Sequence, residues 1–153
     1  MGKVRVGQVF PASVHEAEAC WYDVARWPAW VDGLRRVVSV ARDWPRAGSD
    51  VVWESVPAGR GRVRERVVAH TPLQGQTLEV EDDSLRGRQT VAFDPAEGAV
   101  EVTLTLDYAI KRRWLLTPLI DLLFVRRPMA GSLAKTLRGF GVELAESRQA
   151  GVG

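Results

Sequence analysis

Through the middle of the chain apolar residues fall at every second position, and on either side of that stretch they recur at helical spacing. Val4 and Val6 alternate with charged or small neighbours and lead to Pro11, which predicts a first strand. Ser13 and Glu16 then form a capping box, in which hydroxyl and carboxylate each satisfy a free backbone N–H, so a helix starts at Val14. Its apolar positions Val14, Ala17, Trp21 and Val24 turn Trp21 inward and leave Glu16, Glu18 and Asp23 outside. Pro28 near the start and Gly33 past the end mark a second, very short helix.

From Leu34 the pattern is that of strands: Arg36 to Ala41, Asp50 to Val56, Gly61 to His70, Gln76 to Glu81, Gly87 to Phe93 and Ala99 to Ile110. Turn residues separate them, and connections this short give antiparallel hairpins and not parallel βαβ units. After Arg113 helical spacing returns, with Leu133, Leu137, Phe140 or Gly141, and Leu144 on one face. Pro128 lacks a backbone donor and predicts a kink or break near Arg127. The expected fold is α+β: a curved antiparallel sheet of about seven strands around a long C-terminal helix, with a hollow between them. We expect one domain over residues 1–148 and a frayed tail over residues 149–153.

Composition narrows the function. With 153 residues, 46% of them apolar, the chain suits one domain with a substantial core. The 21 Lys and Arg exceed the 19 Asp and Glu by only two, so the pI near 9.0 reflects a small surplus and gives no clustered excess for nucleic acid. Cys20 is alone, which excludes an internal disulfide and a zinc site built on paired thiolates. His15 and His70 have no partner at ligand spacing and are expected to be exposed, so no metal and no cofactor is expected. Lys3, Arg5 and Gln8 break up any secretory core, and the expected location is the cytoplasm.

Strand parity selects candidate site residues. Val51 and Trp53, Val63 and Val67, Leu78 and Val80, Val91 and Phe93, then Val102, Leu104, Leu106 and Tyr108 define the inner face. Glu65 falls inward between Val63 and Val67, and Gln89 inward beside Val91. A carboxylate facing an apolar hollow has a raised pKa and becomes either a proton-transfer group or the partner of a buried arginine. The opposite parity turns Arg64, Arg66 and His70 inward, and would bury three polar groups while exposing Val63 and Val67. Trp21 and Trp53 offer stacking surfaces or plain core packing, and Tyr108 a hydroxyl that orients a ligand or is satisfied within the core. Arg60, Arg62, Arg64 and Arg66 are expected as an outer ladder compensated by Glu79, Glu81, Asp82 and Asp83. Leu115 to Val125 is apolar on nearly all sides, which suits a homodimer contact, a transient membrane contact or a covered helix; Arg126 then reaches the cavity mouth.

Pro11 to Val14, Asp23 to Trp30 (Asp-Val-Ala-Arg-Trp-Pro-Ala-Trp), Arg66 to Pro72 and Leu104 to Tyr108, taken with the element order, resemble the START-like superfamily, the polyketide cyclase/dehydrase and lipid-transport (SRPBCC) group. The resemblance covers nearly the whole chain and implies a helix-grip fold with a deep cavity between sheet and C-terminal helix. It implies a small hydrophobic or aromatic ligand there, a lipid, polyketide or quinone-like compound; strand parity and helix phase, not the resemblance, select Trp21, Trp53, Glu65, Gln89, Phe93, Leu106, Tyr108 and Arg126 as the residues around it. The alternative that the resemblance implies is an aromatase/cyclase, with Glu65, joined by Tyr108 or Arg126, moving protons. A cavity filled with bulky side chains and too small for a ligand of roughly 300 Å³ would overturn plain binding.

Overall fold

In the computed structural model, residues 2–111 and 125–152 are described. Strand β1 (Gly2–Phe10) precedes α1 (Val14–Tyr22), a tight 3-10 turn (Val24–Arg26) and α2 (Trp27–Trp30). Six strands follow: β2 (Leu34–Val40), β3 (Asp50–Ser55), β4 (Arg62–Thr71), β5 (Gly75–Glu81), β6 (Leu85–Ala96) and β7 (Ala99–Ile110); α3 (Arg127–Val152) closes the chain. Both halves of the Ser13 and Glu16 capping box form. Val125 and Arg126 form a wider π-type turn directly before α3, so the helical winding changes next to Pro128, which lacks a backbone donor. The apolar stretch Leu115 to Val125 lies outside the described residues except for Val125, which packs against the core. Residues 149–152, expected to fray, continue α3, and Arg148 on that last turn bonds Glu16 at 2.9 Å and the Pro11 carbonyl.

The sheet order is β1-β7-β6-β5-β4-β3-β2, antiparallel throughout. Strands β2 to β7 form a meander, and β1 pairs with β7 on the far edge. This is the curved seven-stranded sheet and long helix of a helix-grip fold. Leu133, Leu137, Phe140 and Leu144 of α3 are buried against it. Trp21, Trp30 and Phe140 meet at ring separations of 4.8 to 5.0 Å and fill one end of the hollow. Among the described residues no helix is long and apolar enough to cross a membrane.

Two local features depart from simple alternation. The register of β4 against β5 slips between Val67 and Ala69, a bulge that inserts one residue and resets parity beyond it. Glu65 therefore faces inward opposite Val80, while His70 lies opposite inward Gln76. The two parities that alternation presents as exclusive coexist on one strand, and His70, expected to be exposed, is half-buried against Tyr22. The second departure is Arg60. It precedes β4, next to Gly61, whose φ of 79° favours glycine, and it leaves the outer ladder to lie over Trp53.

Candidate functional site

Glu65 is buried on the inner face, between Val51 of β3 and Val80 of β5. Burial pushes its carboxyl up to about 7, against the pull of the Arg60 charge and, after it, of the Trp53 indole. Arg60 does not pair with it: the guanidinium Nε donates to Asp82 at 2.6 Å and the group lies 5.6 Å from the Trp53 ring centre. Asp82 is held in turn by the backbone N–H groups of Ser84 and Leu85. A fixed cation thus sits beside a carboxyl that titrates near neutrality, which leaves both protonation states of Glu65 available for proton transfer.

Between sheet and α3 lies a cavity of about 50 Å³. Trp21, Trp53, Glu65 and Gln89, all expected at the site, line it. The remaining expected residues fall elsewhere. Phe93 and Leu106 are buried core beside it, Phe93 against Trp21 and Tyr22. Tyr108 shares the Glu65 row through Val80 and Gly87, but its ring lies across Gly2, where a Cβ would collide with it. Tyr108 and Arg126 line instead a separate groove of about 990 Å³ with Lys3, Arg66, Arg88 and Asp107.

That groove runs over a row of alternating charge set by strand register, Lys3, Asp107, Arg88, Glu79 and Arg66 on five successive strands, and Asp50 of β3 continues the row beyond it. The outer arginines also pair toward β3, Arg62 with Glu54 at 2.8 Å and Arg64 with Asp50 at 3.1 Å. The Glu54 carboxyl, held by Arg36 and Arg62, is pulled down to about 2.

Alternation overlooked several cavity residues. Arg60 sits in a turn, where period-two parity does not apply. Gln76 was legible, since the parity that turns Leu78 and Val80 inward carries it along. Asp32 follows α2, and its carboxylate accepts from the Ser132 hydroxyl at 2.7 Å while its N–H donates to Thr136 at 3.0 Å. Ser132 and Thr136, four apart on one face of α3, tie the corner after α2 to α3 along the cavity wall. Three lining residues also keep a buried polar atom without a partner, the indole N–H of Trp30, Nη2 of Arg60 and Oε1 of Gln76, while the Trp53 indole is turned to Glu65. Two are donors and one is an acceptor.

Comparison with known proteins adds the following. Residues 1–144 match the family described as polyketide cyclase / dehydrase and lipid transport. No curated protein sequence matches the chain. Among solved structures, a protein from Thermus thermophilus aligns with a TM-score of 0.75 at 22% identity, over 95% of this chain and 99% of that one. The di-domain ARO/CYC StfQ of the steffimycin biosynthetic pathway aligns with a TM-score of 0.78 at 16% identity, over 96% of this chain and 51% of that one. Norcoclaurine synthase from Thalictrum flavum, solved with dopamine and hydroxybenzaldehyde, aligns with a TM-score of 0.69 at 12% identity, over 95% and 87% of the two chains. At these identities the likeness is one of fold.

Proposed function

The chain belongs to the polyketide cyclase / dehydrase and lipid transport family, and from that premise we propose that it binds a small, largely aromatic molecule carrying a carbonyl oxygen in the cavity between sheet and α3. The observation that carries this reading is the pair of buried N–H donors without partners, on Trp30 and Arg60, in the cavity that holds Glu65. Each such group costs about 1–3 kcal/mol if nothing accepts from it, and a carbonyl oxygen accepts from two at once. Tryptophan faces on the same wall supply the apolar contact that such a ligand needs.

At about 50 Å³ the closed cavity does not meet the roughly 300 Å³ expected of a ligand pocket, so the reading holds only for an opened form. We take the opening to be a parting of the corner after α2 from α3, which breaks the two hydrogen bonds of Asp32. Native mass spectrometry of protein purified without denaturant, followed by extraction, is the first test. We expect an aromatic carbonyl compound to be released, or taken up from an added panel of such compounds. A protein that neither carries nor takes up any of them overturns the reading.

A second reading is catalysis of the cyclase type, favoured by the position of the Glu65 pKa at about 7. Ionised Glu65 would remove a proton from the carbon beside a carbonyl; that carbon then bonds to a second carbonyl carbon of the same chain. The new alkoxide takes a proton back from Glu65; Glu65 then removes a second proton from the same carbon and passes it to the departing hydroxyl, which leaves as water with a carbon–carbon double bond formed in the ring. Glu65→Gln is expected to reduce turnover of a cyclising substrate by at least about 100-fold; wild-type turnover in the variant removes Glu65 from this role.

A further inference from the structure

The unpartnered atom on Gln76 is of the opposite kind to the others. Gln76 is only 3% exposed, and its Nε2 donates to the Pro45 carbonyl at 3.0 Å. That bond fixes the amide orientation, because the Gln76 oxygen cannot stand in for a donor to another carbonyl. Oε1 is thereby turned away from Pro45 and has no partner. A leucine or methionine at this inward position would avoid the penalty, so the amide oxygen is a costly group to keep in a core. Gln76 lines the same cavity as Glu65. It precedes Val80, the cross-strand neighbour of Glu65, by four residues on β5, about 13 Å along the strand. Behind it, half-buried His70 and Tyr22 each keep a polar atom without a partner, their rings 5.3 Å apart. The cavity therefore has two polar ends, donors with Glu65 at one and an acceptor at the other.

We infer that Gln76 is a ligand-binding and specificity-determining residue, and that the ligand carries a hydroxyl donor at the end opposite its carbonyl. The inference rests on the reading that the cavity holds a ligand, and it deepens that reading by fixing a second functional group. A compound of about two fused aromatic rings, with hydroxyl and carbonyl on opposite ends, matches the spacing once hydrogen-bond lengths at both ends are included.

Calorimetric titration of the full chain with 6-hydroxy-2-acetonaphthone, 6-methoxy-2-acetonaphthone and 2-acetonaphthone tests it. Wild type is expected to bind the hydroxy ketone at least about tenfold more tightly than the other two. Gln76→Met, close in length and without the amide, is expected to bind all three alike. Equal binding of the three ketones to wild type overturns the inference while leaving the cavity reading intact, and so does a hydroxyl preference that survives in Gln76→Met. Should Gln76→Met not fold, the wild-type comparison alone decides. If none of the ketones binds, the cavity reading fails and this inference falls with it.

Discussion

At the scale of single residues, the strongest consequence of the structure concerns the charge on Glu65. Its carboxyl holds a proton up to about pH 7 in the folded protein, against an ordinary value of 4.5. Between those two values the folded state binds the proton and the unfolded chain does not, so stability falls as pH rises through the window. Below it both states are protonated and the penalty is absent. Glu65→Gln is neutral throughout, so it is expected to match wild type at pH 4 and to exceed it by about 3 kcal/mol at pH 8. Denaturant unfolding of the two proteins at both pH values measures this, and a difference that does not change with pH would show that Glu65 ionises in the fold as it does in the unfolded chain. Inward placement of Glu65 was legible from Val63 and Val67 on either side. Its protection from an arginine partner was not, since that depends on Arg60 being committed to Asp82 across a turn.

At the scale of elements, the contact between α2 and α3 positions the tryptophans over the cavity. Gly139 is what permits it: a Cβ there would stand 2.9 Å from the Trp30 carbonyl oxygen, a backbone atom that cannot swing away. Gly139→Ala gains up to about 1 kcal/mol in helix propensity but forces α2 off α3, and a net loss of about 1–2 kcal/mol is expected. Gly131 on the same helix faces open space, so Gly131→Ala is expected to stabilise by up to about 1 kcal/mol. Thermal unfolding of the pair separates packing from propensity: if both substitutions shift the midpoint the same way, the close approach is not what Gly139 supplies. The buried face of α3 was plain in the sequence from Leu133, Leu137, Phe140 and Leu144. The need for glycine at 139 was hidden, because it arises from a helix more than a hundred residues earlier.

At the scale of the whole molecule, sheet and α3 enclose too little space for a ligand unless the cavity opens, and two hydrogen bonds of Asp32 join the corner after α2 to α3 beside it. Binding is therefore expected to change amide hydrogen exchange in residues 30–34 and 129–136, while the long β6–β7 hairpin keeps its protection. Uniform change across the sheet would place the opening elsewhere. The sequence by itself determined the order of elements, the inner face of each strand up to the β4 bulge, the buried stripe of α3 and the presence of a carboxyl among apolar residues. These follow from periods of two and 3.6, which are local properties of the backbone. Only the tertiary structure decided that His70 joins Glu65 on the inner face, that Arg60 turns in over Trp53, that Tyr108 lies over Gly2, and how much room remains. A bulge is fixed by the register of the neighbouring strand, a turn obeys no period, and a cavity volume is a small remainder left by side chains that meet from distant parts of the chain.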